Sequence, residues 1–163
     1  MPITVIAENP LLSIILNGII SSNFKAKLVF WRFKNPLPGS RAFSILAKKD
    51  PRINLDNLNK QLVNQPKSAE EENVAFYRLY KKFENKLIVK DSHKQFLLTR
   101  DLTGYSFLFL ILFLLAIYFV NASLYLKTSY LGYLIIQFII ISIVARNYGN
   151  RFVCNVLAEA SIV

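Results

Sequence analysis

The residues that could carry chemistry are few and scattered. One histidine, His93, and one cysteine, Cys154, stand in unrelated segments. Neither a Cys-His nucleophile pair nor a His-based metal site is therefore written in the chain. A single cysteine also leaves no intrachain disulfide and no multi-thiolate site. Gly39 stands alone in its turn, without the spacing of a phosphate-binding loop, and no Gly-x-Ser-x-Gly elbow occurs. His93 with Lys90, Lys94 and Arg100 supplies a base beside cations, the minimum for an RNase-like site. A histidine on a helix without catalytic role is the plainer reading. No catalytic, metal-binding or cofactor-binding residue is assigned, no cofactor is expected, and the protein reads as non-enzymatic.

Two further sets of polar residues suit contacts rather than catalysis. Gln137 lies near the middle of an uncharged run, with no other strongly polar residue between Gly132 and Ser142. A primary amide in hydrocarbon is costly unless hydrogen-bonded, and such side chains join helices. Gln137 meeting Gln137 of a second copy, and hence a homo-oligomer, is one resolution. A water-filled path is another, and an amide bonded to a backbone carbonyl within one chain is a third. The second set is Lys25, Lys27, Arg32, Lys34, Arg100, Arg146 and Arg151, cations that flank apolar or aromatic residues. Between Phe24 and Lys34 the cations alternate with Leu28, Val29, Phe30, Trp31 and Phe33. That pattern fits an interfacial anchor on anionic lipid, each cation contributing about 1 kcal/mol. It also fits a basic-aromatic face for single-stranded nucleic acid, or a plain buried strand.

What must position these residues is dominated by 102–145, where Lys127 is the one charged residue. The run 102–126 is long enough to span a bilayer as a helix, since about 20 residues cross a hydrocarbon core of about 30 Å. The run 128–145 is at the short end of that range. Neither alternates as a barrel strand would. The fold class read here is mainly α: a transmembrane helical hairpin with a basic, mostly helical cytoplasmic domain. Residues 1–101 form the basic cytoplasmic or interfacial region, 102–145 the hairpin and 146–163 a cytoplasmic tail. Residues 1–101 hold 17 Lys and Arg against 9 Asp and Glu, which places both termini on the cytoplasmic side of the membrane. Tyr105 and Tyr148 then mark the inner interface, and Tyr118, Tyr125, Tyr130 and Tyr133 the outer one.

Local signals fill in the rest. Asn9-Pro10 reads as a helix start, and 11–20 as an apolar run too short to span. Asn35 to Arg41 reads as a turn, and Asp50 as the cap of a short helix opening at Pro51. Residues 57–67 read as an irregular connector. Ser68 to Glu71 fits a capping box for a helix with Val74, Tyr77, Tyr80, Phe83 and Leu87 on its apolar face. A second helix is expected from about residue 92 continuously to 120, with Gln137 level with 112–115 of it. Residues 146–150 read as turn-forming, followed by a short apolar run that packs on the cytoplasmic domain.

The blocks at 31–44 (Trp-Arg-Phe-Lys-Asn-Pro-Leu-Pro-Gly-Ser-Arg-Ala-Phe-Ser), 50–53 (Asp-Pro-Arg-Ile), 76–82 and 93–101 resemble those of an uncharacterised family of small two-helix bacterial inner-membrane proteins. The similarity covers most of the chain and implies location rather than activity. In general architecture the chain also resembles membrane effectors of antiphage defence systems, in which a cytoplasmic sensor triggers membrane damage. The resemblance implies a non-enzymatic effector or adaptor on a lipid bilayer, with a cytoplasmic protein partner or ligand altering the packing of a homo-oligomeric hairpin. The alternative is a membrane anchor or structural subunit of a larger complex, with nucleic acid as a less favoured partner.

Overall fold

The computed structural model describes residues 18–62 and 65–162, which are mainly helical and contain no β-strand. The expected start at Asn9-Pro10 and most of the 11–20 run lie outside the described residues. The elements are α1 (Ser22–Phe30), a 3-10 turn (Pro38–Arg41), a π-helical turn (Ala42–Leu46), α2 (Ala47–Lys49), α3 (Leu55–Gln61), α4 (Ala69–Phe83), α5 (Leu87–Ala116) and α6 (Leu124–Ile162). Polar residues start several of them. The Ser21 hydroxyl accepts from Phe24 N, the Asn54 side chain from Asp56 N and Asn57 N, and the Ser68 hydroxyl from Glu71 N.

Several expectations shift. The segment 24–34 is helix and then loop, not strand. Asp50 caps no helix: it turns back to accept from Arg52 N, and the helix opens instead after Asn54. That helix takes up part of the expected connector. At α4, Glu71 accepts from Lys67 N, one residue before the box it was expected to close. The face of α4 that turns inward carries Glu72, Phe76 and Leu79, with the expected Tyr80 and Phe83 packed against the same core, while Val74 and Tyr77 are exposed. α4 ends at Phe83, so Leu87 opens the next helix rather than extending this one.

α5 has 30 residues and α6 has 39, about 45 and 58 Å at 1.5 Å per residue. Each exceeds a bilayer core, so each is an apolar length with a polar extension. α5 begins earlier and ends earlier than the sequence suggested. α6 continues without a break through 146–150, which was read as a turn. The two helices run antiparallel: Phe96 faces Phe152, Phe107 faces Phe138 and Phe113 faces Tyr130, with centroid separations of 6.3, 6.0 and 4.8 Å.

The core sits at one end of this pair, where α1, α3, α4 and the 38–49 turns wrap the extensions of α5 and α6. Val29, Leu58, Val89, Val153, Val156 and Leu157 are fully buried there, each contributing about 1.5–3 kcal/mol of apolar burial. Phe152 is the hub, in ring contact with Phe76, Tyr80, His93 and Phe96. The expectation that the end of the chain packs on the helical domain holds; it does so as helix. Gly149 is required where Phe30 and Phe96 close on α6, since a Cβ there would lie 2.8 Å from Phe30 Cζ and 2.9 Å from Phe96 Cε2.

Candidate functional site

Most of the cations marked in the sequence gather where the helical bundle meets the uncharged lengths of α5 and α6. Lys25 departs furthest from their expected outward direction. Its side chain is only 3% exposed, and Nζ reaches Asp101 Oδ1 at 3.2 Å. An ammonium in that position needs a carboxylate, because an unpaired buried charge is far costlier than a paired one. Asp101 also accepts from Arg100 Nε and Nη2 at 3.2 and 3.1 Å. Lys25 and Arg100 are thus turned inward onto one acid, not outward onto lipid. The Lys25 methylenes lie along Gly104 of α5. α1 is thereby fixed against the start of the apolar length of α5.

Arg146, at the end of the uncharged length of α6, closes the other side of α1. Its Nε and Nη2 donate to Val29 O at 3.3 and 3.2 Å, and its guanidinium lies 4.5 Å over the Trp31 ring. A cation on the last carbonyls of a helix complements the negative end of its dipole. Trp31 itself has φ of 52°, a left-handed conformation rare for a bulky residue, held here under Arg146. Arg32 and Lys34 follow in an exposed stretch with Phe33, which is 88% exposed, and Lys27 is partly exposed on α1. Arg151 is exposed further along α6.

An eighth cation, Arg41, stands outside that set because nothing around it but a turn announces it. It ends the 3-10 turn, and its Nη2 is buried without a hydrogen-bond partner among the described residues. Burial, then the positive charges of Arg32 and Arg146, lower its pKa, against the opposing pull of Glu72. Glu72 is itself buried and accepts from Phe43 N and Ser44 N at 2.9 and 3.1 Å, capping the π-helical turn.

Gln137 lines a groove of about 530 Å³ between α5 and α6, with Phe109, Leu112, Phe113, Tyr133 and Leu134. The Phe107 to Phe138 contact sets it level with residue 108, about one turn from the expected 112–115. Along α5 the hydroxyls of Ser92, Thr99 and Thr103 donate to carbonyls of the preceding turn. Ser106 Oγ and Ser142 Oγ are buried without partners among the described residues.

His93 and Cys154 lie apart from this joint. The Tyr80 hydroxyl and His93 Nδ1 share a hydrogen bond of 3.0 Å, and the ring stacks on Phe152 at 4.7 Å. Burial and then the cation Arg100 lower the His93 pKa. Burial and then the negative Asp50 push the Cys154 thiol up to about 11, so it is protonated and unreactive at neutral pH. Among the described residues no group of acids, His and Cys converges as a metal site would. A second groove, of about 440 Å³, lies between α3 and α4, lined by Leu62, Pro66, Glu70, Val74, Arg78 and Lys82 among others. Comparison with protein-family models, with curated proteins and with solved structures finds no match.

Proposed function

We propose that the chain is an integral inner-membrane protein in which α5 and α6 cross the bilayer as a hairpin with both termini cytoplasmic, acting as a non-enzymatic effector or adaptor. The observation that carries this reading is the exposure of the apolar lengths. In the most apolar 18-residue window of each helix only 17% is buried inside the chain, and Leu112, Leu115, Ile136 and Ile140 are each more than half exposed. The core helix of a water-soluble domain would hide such side chains, whereas lipid is the solvent in which they are stable outside.

The effector reading follows from continuity. Val89 and Phe96 of α5, and Phe152 and Leu157 of α6, are bundle core on the same helices that supply the apolar lengths. A partner or ligand that repacks the bundle, for instance at the groove between α3 and α4, shifts the hairpin through unbroken backbone. A homo-oligomeric hairpin that permeabilises the membrane in antiphage defence is the form this takes by analogy.

Overexpression of the full chain should depolarise the membrane and arrest growth, and polar substitutions within 108–115 should abolish both. A compact monomer that stays in the aqueous phase without detergent would refute the membrane reading. The second reading, an anchor or structural subunit associated with nucleic acid, draws on the exposed Arg32, Phe33 and Lys34. Salt-sensitive retention of RNA or DNA by the full chain would favour it.

A further inference from the structure

Arg32, Arg41 and Arg146 lie at the joint between bundle and hairpin, and among the described residues none of the three is in an ion pair with a carboxylate. Arg146 is pinned to the end of α1 by Val29 O and the Trp31 ring. Arg32 is the residue after Trp31 and is exposed. The turn that carries Arg41 packs against α6, and its Nη2 is buried without a partner among the described residues. Arg32 and Arg146 are the cations whose fields oppose the charge on Arg41. The acid that acts on Arg41 is Glu72, and its Oε2 is occupied by two backbone N–H groups. A guanidinium cannot shed its proton near neutral pH, so crowding of this kind is relieved by an anion and not by titration.

We propose that Arg32, Arg41 and Arg146 form a binding site for a phosphate-bearing anion at the inner end of the hairpin. Five N–H groups on each planar fork suit the bidentate capture of phosphate oxygens, which a lysine ammonium does not reproduce. Arg146 contributes the nitrogen that Val29 O leaves unused, and its position is fixed before the anion arrives. Arg32 is free to close from the solvent side. Two sources offer this chemistry: the headgroup of an anionic phospholipid, and a soluble phosphate or phosphorylated metabolite. The location favours the headgroup, because Arg146 directly follows an uncharged run and Trp31 and Phe33 are exposed beside it. That preference rests on the membrane reading above, while the phosphate chemistry does not.

The test uses the full chain in neutral maltoside micelles, with melting followed by circular dichroism. Short-chain phosphatidylglycerol is titrated against short-chain phosphatidylcholine, and inorganic phosphate is titrated alone. Phosphatidylglycerol should raise Tm saturably where phosphatidylcholine does not. The midpoint should move at least tenfold to higher concentration in Arg41→Gln and in Arg32→Gln, but not in Lys94→Gln, an exposed cation elsewhere on α5. Arg32 is exposed, so its variant keeps the test valid if Arg41→Gln fails to fold. A response to inorganic phosphate with the same dependence on Arg32 and Arg41 would assign the site to a soluble anion. Absence of response to both probes, or an equal loss in Lys94→Gln, would overturn the proposal. Membrane partition of the chain is scored separately, so failure of the phosphate site and failure of the membrane reading give different results.

Discussion

Asp101 serves two cations at once, Lys25 Nζ at 3.2 Å and Arg100 Nη2 at 3.1 Å. Its removal should therefore hurt more than the removal of either cation. Asp101→Asn leaves a buried ammonium facing an amide, a change of the kind that costs about 3–5 kcal/mol. Lys25→Met leaves Asp101 with Arg100 and keeps most of the stem packing on Gly104, so it should cost much less. Melting of the two variants in the same detergent checks this order; equal losses would mean that the pair is not the fastening between α1 and α5. His93 sets a second expectation, through pH. Its folded pKa lies below the ordinary 6.5, chiefly because burial disfavours the charged ring. The unfolded chain thus binds the proton more readily, and the stability tied to neutral His93 is full above about pH 6.5 and is lost as pH falls through the folded value. Tm should decline from pH 7 to pH 5 in the wild type, and His93→Phe, which keeps the stack on Phe152, should flatten that slope. Asp50, drawn down to about 2 chiefly by its hydrogen bonds with Arg52, contributes in a separate window. Its stabilisation is present above about pH 4 and disappears as pH falls toward 2.

Among the elements, α6 carries the clearest contrast, because its two glycines have opposite surroundings. Alanine normally gains about 1 kcal/mol over glycine inside a helix. At Gly132 nothing lies within 4 Å of an added Cβ, so Gly132→Ala should hold or raise Tm. At Gly149 the same methyl would meet Phe30 and Phe96 rings at under 3 Å, and overpacking of this kind costs about 1–3 kcal/mol. Gly149→Ala should lower Tm despite the better helix propensity. That glycine also shows why the sequence misled. Asn147, Gly149 and Asn150 have the composition of a turn, yet glycine is there for the close approach of two rings, a requirement no local pattern reveals. α4 is only partly in phase with its sequence pattern: Tyr80 and Phe83 pack on the core as expected, while Val74 and Tyr77 do not. Phe76 and Leu79 are spaced as plausibly as Val74 and Tyr77, and theirs is the face from which the buried Glu72 grips a π-helical turn 28 and 29 residues upstream in sequence. Long uncharged runs, by contrast, were legible, because hydropathy over 18 residues or more does not depend on tertiary context. The Ser68 and Asn54 ends differ in the same way: the first had its acidic turn as a marker, the second had none.

For the molecule as a whole, the groove that Gln137 lines sets the expectation for assembly. An amide there, beside Leu112 and Phe113, needs a hydrogen-bond partner in lipid. Gln137→Leu should weaken detergent-resistant oligomers by about tenfold in cross-linking yield, matching roughly 1–2 kcal/mol per interhelical amide bond. Unchanged cross-linking would remove Gln137 from any interface between copies. The joint above that groove was only half legible in advance: its cations were visible, but their inward turn onto Asp101 and their gathering with Arg41 depend on how α1 lies across the two long helices. That joint also holds the chain's single tryptophan, half exposed and under the Arg146 guanidinium. The protein therefore carries its own optical gauge. Light emitted by that one indole reports polarity and cation proximity where the helical bundle meets the long apolar helices, so a change in hue or brightness on adding a ligand would register movement there without any label.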